Sequence, residues 1–172
     1  MQFIFAIIIS FSFALEFKFD SGENIVVEVN GQELTNPFMG GLNRPQIQWL
    51  DTDDDTDSDL FAMDEDGRIR HFENVTTDGE YRFQLNSCVY ANLQTGGWFF
   101  FDDFDNDNFI DLIIQDPTDL NHARFLKNSG NGYTDMGKLT SESSDGFVVS
   151  DPVMTPTFAD IDNDGDLDFF TG

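Results

Sequence analysis

Aspartate recurs at alternate positions in three nine-residue stretches, DTDDDTDSD from Asp51, DFDNDNFID from Asp103 and DIDNDGDLD from Asp160. When the three are overlaid, positions 1, 3, 5 and 9 are Asp in every copy: Asp51, Asp53, Asp55 and Asp59; Asp103, Asp105, Asp107 and Asp111; Asp160, Asp162, Asp164 and Asp168. This spacing turns alternate carboxylates toward one centre, which suits a hard divalent cation that takes six to eight oxygen ligands from a short loop. Position 7 is Asp57, Phe109 or Asp166. Such variation fits a residue that offers its backbone carbonyl, so its side chain is free to change. The donors are all oxygen, which favours Ca²⁺ over zinc or copper, and a many-carboxylate cage suits it better than magnesium. Position 6 calls for a sharp turn of the kind Gly makes most easily; it is Gly165 in the third copy but Thr56 and Asn108 in the others. That ranks the third loop strongest and the first weakest.

Other chemistries fit less well. An EF-hand shares the alternating start but needs a bidentate Glu at position 12 on an exiting helix, and here position 12 is Ala62, Ile114 or Thr171. Carboxylate pairs can hydrolyse glycosides, but an acid catalyst must hold a proton while ligands at positions 1, 3 and 5 must all stay ionised. No Ser-His-Asp or Cys-His pattern, phosphate loop or CxxC pair is present. His71 and His122 lie about one repeat apart and read as two equivalent, solvent-facing strand positions. No catalytic residue is assigned, and the chain is not expected to be an enzyme.

The loops must be held between strands. Their exits, Leu60-Phe61-Ala62-Met63, Leu112-Ile113-Ile114 and Phe169-Phe170-Thr171, are short, mainly apolar runs without helical periodicity. Their entries place Trp49, Phe101 and Phe158 two residues before the first Asp, on one face of a period-2 strand. The unit recurs after 52 and then 57 residues, a spacing typical of propellers and solenoids. A strand, a DxDxD loop ending in a further Asp, and an apolar strand, in three copies, resemble the FG-GAP/VCBS repeat known from the β-propeller head of integrin alpha subunits. The resemblance covers roughly Asn36 to Gly172. It implies an all-β fold of four-stranded propeller blades, with Ca²⁺ held in the turn between the first and second strands by the Asp positions named above. About three repeats are expected, an incomplete propeller in which Gly172 falls inside the second strand of the third blade. Further blades or domains are expected C-terminal to it.

The first repeat is expected to comprise strands over 46–50, 59–63, 68–73 and 80–85, with a turn at Asp66-Gly67. The second starts at Trp98 and has a connection over 117–121 and a turn over 128–132; the third starts near Pro156. Trp98-Phe99-Phe100-Phe101 is expected to pack between neighbouring blades rather than offer a stacking platform to sugars. Residues 15–35, with a β-rich run over 24–29 and a turn at Asn30-Gly31, read as a leading hairpin or cap. Residues 36–172 carry the repeats.

The net charge of −25 on 172 residues would ordinarily suggest disorder, but 16 of the 33 acids fall within 51–59, 102–111 and 160–168, and 20 Phe supply core material. Three bound Ca²⁺ would bring −25 to −19. With eight Lys and Arg in all, nucleic acid is excluded as a partner. Cys88 is the single cysteine and reads as a small buried hydrophobe; Asn74-Val75-Thr76 is a glycosylation sequon.

Residues 1–14, MQFIFAIIISFSFA, are uncharged, too short to span a bilayer and suited to a secretory h-region, and Ser12-Phe13-Ala14 offers a cleavage site. No later stretch is apolar enough for a membrane span. The sequence thus points to a secreted, calcium-stabilised scaffold with an extracellular protein or glycan ligand. The alternative is the accessory or catalytic propeller of a polysaccharide-degrading enzyme whose active site lies beyond residue 172. Exported protein is expected to begin at Leu15, as N-terminal sequencing would establish; a soluble product that keeps the leader would overturn secretion.

Overall fold

The computed structural model describes residues 26–171 apart from 38, 54, 78, 141–145, 150, 154 and 166; residues 1–14, expected as a leader, and Asp166 lie outside the described residues. The chain divides into two units, the second starting at Thr35. In the first, β1 (Glu28–Val29) and β2 (Gln32–Glu33) form the expected hairpin. Asn30 and Gly31 at its tip both have positive φ, the geometry of the tight turn that Asn-Gly favours.

The second unit is built of antiparallel meanders. β3 (Gln46–Leu50), β4 (Asp59–Met63), β5 (Ile69–Asn74) and β6 (Phe83–Ser87) form one four-stranded sheet in sequence order. β7 (Phe99–Asp102), β8 (Asp111–Gln115), β9 (Ala123–Asn128) and β10 (Tyr133–Lys138) form a second. β11 (Thr157–Ala159) and β12 (Asp168–Phe170) start a third. The fold is all-β, with sheets of the β-propeller blade kind; among the described residues there is no α-helix, and no helix long and apolar enough to cross a membrane. The register repeats without slippage: Leu50 lies opposite Asp59, Asp102 opposite Asp111, and Ala159 opposite Asp168. Each acidic loop therefore connects the first two strands of its sheet, and position 9 is the first residue of the second strand.

Side-chain alternation divides the core. On β8, Leu112 and Ile114 face the first sheet, where they join Phe61, Met63, Ile69, Phe99, Phe101 and Leu126 in one buried cluster. Ile113 faces the other way, with Trp98 and Ala123, and is covered by Phe104, Phe125, Phe158 and Phe169. β8 is thus buried on both faces, which explains why DLIIQ shows no polar alternation. Rings lock both junctions: Phe61 meets Phe101 edge-on at 4.8 Å, and Phe158 lies 4.7 Å from Phe100 and 5.2 Å from Phe104. The aromatic stretch is packed as expected, with Trp98, Phe99 and Phe101 at most 2 % exposed. The corresponding outward residues of β3, Ile47 and Trp49, remain half exposed.

Side-chain amides complete the strand edges. Phe101 N–H donates to Gln48 Oε1 at 2.8 Å, Gln48 Nε2 donates back to the Phe101 carbonyl at 2.6 Å, and Phe99 N–H donates to Gln46 Oε1 at 3.2 Å. Two glutamines of β3 thereby pair with the free edge of β7 as a strand would. Asn36 does the same for β6, donating to the Phe83 carbonyl and accepting from Leu85 N–H.

Two expectations need correction. The fourth strand of the first sheet starts at Phe83, not Glu80, because a turn through Gly79, closed by Glu80 N–H to the Thr77 carbonyl, takes up the preceding residues. Cys88 is exposed rather than buried, since it falls just past the end of β6 where the chain leaves the sheet.

Asp116, just after β8, is 1 % exposed and accepts from the Thr118 amide at 2.8 Å, the Thr118 hydroxyl at 2.7 Å and Arg124 Nη1 at 3.2 Å. Burial alone would raise its pKa, but the Thr118 bonds and Arg124 outweigh it and bring the carboxyl down to about 2. Because the folded pKa is depressed, the stabilisation is present above the ordinary value of 3.8 and is lost as pH falls through about 2. Asp116→Asn is expected to lower the melting midpoint at neutral pH and to flatten its decline between pH 5 and 2. A wild-type acid profile in the variant would overturn this assignment.

Candidate metal centre

The three loops fold alike. In each, the position-1 carboxylate accepts the amide of position 6: Thr56 N to Asp51 at 3.0 Å, Asn108 N to Asp103 at 2.8 Å, and Gly165 N to Asp160 at 3.1 Å. Position 6 is left-handed in all three, with φ of 79° at Thr56, 69° at Asn108 and 97° at Gly165. The turn that Gly makes freely is therefore also made by Asn, which tolerates it, and by Thr, whose branched Cβ is strained there. Position 5 accepts the position-7 amide at 3.0 Å in the first two loops, Asp55 from Asp57 and Asp107 from Phe109. These bonds fold the chain into a ring with its carboxylates inward.

Three oxygen clusters result, each with its ligand atoms within 4.8 Å of one another: Asp51, Asp53 and Asp55; Asp103, Asp105 and Asp111; Asp160, Asp162 and Asp164. The other named residues are placed differently. Asp57 turns one buried oxygen inward without a hydrogen-bond partner among the described residues. Asp107 pairs with Lys127 at 2.8 Å. The Phe109 ring lies over Gly130, whose φ of 81° favours Gly and where a Cβ would stand 2.8 Å from the ring. Asp168 accepts from Ile161 N–H at 3.2 Å.

Position 9 ties loop to sheet. Asp59 is 2 % exposed; one oxygen accepts Asn74 N–H at 2.9 Å and the other meets Thr52 Oγ1 and His71 Nε2, both at 2.9 Å. Asp111, fully buried, accepts Asn128 N–H at 2.7 Å through one oxygen, while its other oxygen has no partner among the described residues. Asn74 and Asn128 occupy the same place in their repeats, and each donates its side-chain amide back to the residue before position 9, Ser58 at 3.2 Å and Ile110 at 3.1 Å. Sequence reasoning missed this role: Asn74 registers there as part of a sequon, although its recurrence at Asn128 carries the signal.

The histidines are not equivalent. Counting from Asn74 and Asn128, His71 corresponds to Phe125 and not to His122. His71 is buried, bonded to Asp59 and stacked on Phe61 at 4.6 Å. His122 lies in a loop beside Asp119, 2.9 Å away, and Lys138. A ring that can both stack and donate lets β5 satisfy a buried carboxylate from within the core.

The electrostatics are those of loops short of positive charge. Asp53 and Asp57 are pushed above the usual carboxylate range by burial and then by their acidic neighbours; Asp162 is pushed up first by Asp164. Asp111 is raised by burial. Asp107 is lowered, chiefly by its bond to Lys127. Asp59 is also lowered: burial opposes its ionisation, but the bonds from Asn74, His71 and Thr52 together outweigh it.

Residues 103–171, which span the second and third loops with β8 to β12, match the family model of the FG-GAP-like repeat. No curated protein and no solved structure matches the chain significantly.

Two substitutions in the first loop separate its strain from its anchoring. Thr56→Gly is expected to raise stability by about 1 kcal/mol in urea unfolding, by releasing the left-handed strain. Asp59→Ala is expected to lower it by roughly 2–4 kcal/mol with or without calcium, because it strands a buried amide and imidazole. A neutral Asp59→Ala would mean that position 9 does not hold the loop to the sheet.

Proposed function

We propose that the acidic loops bind Ca²⁺ and that the metal is structural. On this reading the protein is a secreted, non-catalytic interaction scaffold that presents its sheets and loops to an extracellular protein or glycan. The observation that carries the metal reading is Asp111. A buried carboxylate oxygen that closes no hydrogen bond among the described residues is costly to ionise, since burial outweighs the pull of the Asn128 and Phe104 amides on Asp111, yet this one converges with Asp103 and Asp105. A cation at that point would supply the missing partner, and the all-oxygen set on a left-handed turn fits a hard ion. The FG-GAP-like match over 103–171 supports the same reading, since such repeats commonly bind calcium.

Asp51, Asp53 and Asp55 would hold the ion in the first loop, Asp103, Asp105 and Asp111 in the second, and Asp160, Asp162 and Asp164 in the third. The bound ion supplies positive charge that cancels carboxylate repulsion. The chain's own contribution is the position-1 to position-6 bond, which fixes the ring before any ion arrives. The scaffold reading is supported by the extent of strand surface; of the two His–Asp pairs among the described residues, His71–Asp59 is sealed in the core and His122–Asp119 is tied up with Lys138 in a connecting loop.

A ligand that binds only the folded form adds RT ln(1 + [Ca²⁺]/Kd), about 2.7 kcal/mol per site at a hundredfold excess over Kd. Thermal melting of the full chain is expected to shift upward by several degrees in millimolar calcium relative to chelator, and less in magnesium. Asp111→Asn, which removes the buried charge, is expected to melt no lower than wild type in chelator and to lose part of the calcium shift. An unchanged wild-type midpoint would refute the structural role of the metal.

A further inference from the structure

The first two loops differ in what stands above them. Lys127, on β9, extends its ammonium into the second loop, where it bonds Asp105 and Asp107, the latter at 2.8 Å. Asp105 belongs to the oxygen cluster with Asp103 and Asp111, so one carboxylate serves both the ammonium and the candidate cation site. The matching residue of the first sheet, one before Asn74 as Lys127 is one before Asn128, is Glu73. It has the opposite charge, and its carboxylate is held instead by Asn86 Nδ2 at 3.1 Å.

We propose that Lys127 is a tethered counter-ion of the second loop, which competes with a divalent cation for Asp105 and makes the two sites unequal in affinity. The inference rests on the calcium reading above and says which site fills first. An ammonium on a flexible stem is a point charge that can swing out, so it neutralises the loop without completing the coordination that Asp111 leaves open. The second loop therefore keeps its shape without metal, at the cost of weaker binding. The first loop has no such ammonium among the described residues, the matching strand position being Glu73, and stays metal-hungry.

The ranking of loops from sequence, by Gly at position 6, placed the first below the second; the charge above the loop reverses that order. Backbone strain at Thr56 is present in both the empty and the filled loop and so largely cancels in binding, whereas the ammonium must leave Asp105 when the ion enters.

A calcium titration of the full ¹⁵N-labelled chain at low ionic strength, followed by amide resonances, resolves the sites. Thr56 and Asn74 report on the first loop; Asn108 and Asn128 report on the second. In wild type the first-loop signals are expected to move at the lower calcium concentration. Lys127→Met is expected to bring the second-loop midpoint down by roughly two- to fivefold and leave the first unchanged, since partly exposed close charges are worth up to about 1 kcal/mol. The reciprocal Glu73→Lys, at a half-buried strand position, is expected to weaken the first loop by a similar factor and keeps the test intact should Lys127→Met not fold. Unchanged midpoints in these variants, with calcium still binding, would overturn the counter-ion role alone. Signals that fail to move in any variant would overturn the calcium reading, and this inference with it.

Discussion

The bond from a position-9 carboxylate to the third strand is the constraint on which the rest of the structure depends. Asp59 to Asn74 at 2.9 Å and Asp111 to Asn128 at 2.7 Å each bring a buried negative charge to a backbone amide two strands' length along the chain. Without it, an acidic loop would be a repelling turn attached to the sheet only by its two ends. With it, the loop's last residue is also the first, buried residue of the sheet's second strand, and the geometry of the ring and of the core become one problem. The Asn side chain that reaches back to position 8 fixes the same junction from the other side. Burial makes the bond strong and also makes any missing partner expensive, as the unpartnered oxygen of Asp111 illustrates.

Much of this architecture was legible in the sequence, for a physical reason. A period-2 strand, a loop of fixed length and a second apolar strand leave no freedom of register, because one slipped residue would turn Phe61 or Leu112 to the opposite face. Three copies that agree are a check on each other, so the order of strands and the pairing of Leu50 with Asp59 could be anticipated. The site was less legible. Alternating Asp residues point at a centre, but sequence spacing does not say which carboxylates are claimed by other donors. Asp59 is claimed by His71 and Asn74, and Asp107 by Lys127, from strands that the loop's own sequence does not contain. His71 was misplaced because repeat spacing was counted between the two histidines rather than from the loop-anchoring asparagines, and the offset of three residues moves a side chain to the other face of its strand. Cys88 was misread because its type favours burial while its position, one residue past a strand end, decides otherwise.

The acidity of the chain and its compactness are reconciled by location. The carboxylates crowd into the three acidic loops, where among the described residues backbone amides, Lys127 and His71 bear on them, while the sheets between hold an almost unbroken series of aromatic contacts. Phe61, Tyr90, Phe101 and Phe99 form one series and Phe100, Phe104, Phe158 and Phe169 another, on opposite faces of the second sheet. Phe101 and Phe158, which hold the same register in their repeats, carry the ring contacts at the two junctions, so the second sheet is both a wall for the first and a floor for the third. The glutamine pair of β3 reinforces the first junction with backbone-like hydrogen bonds that apolar packing cannot supply.

A sheet whose two faces play these fixed parts has a genetic corollary. The forward face of the first sheet fits the backward face of the second, and the forward face of the second fits the strands of the third. An in-frame tandem duplication of one repeat would therefore deliver a new sheet that already matches the neighbour on which it lands, together with its own loop and its own anchoring asparagine. Growth of the array by unequal crossing-over needs no simultaneous compensating substitution. The half-exposed Ile47 and Trp49 mark the face at which such a copy would dock without any new residue having to be invented.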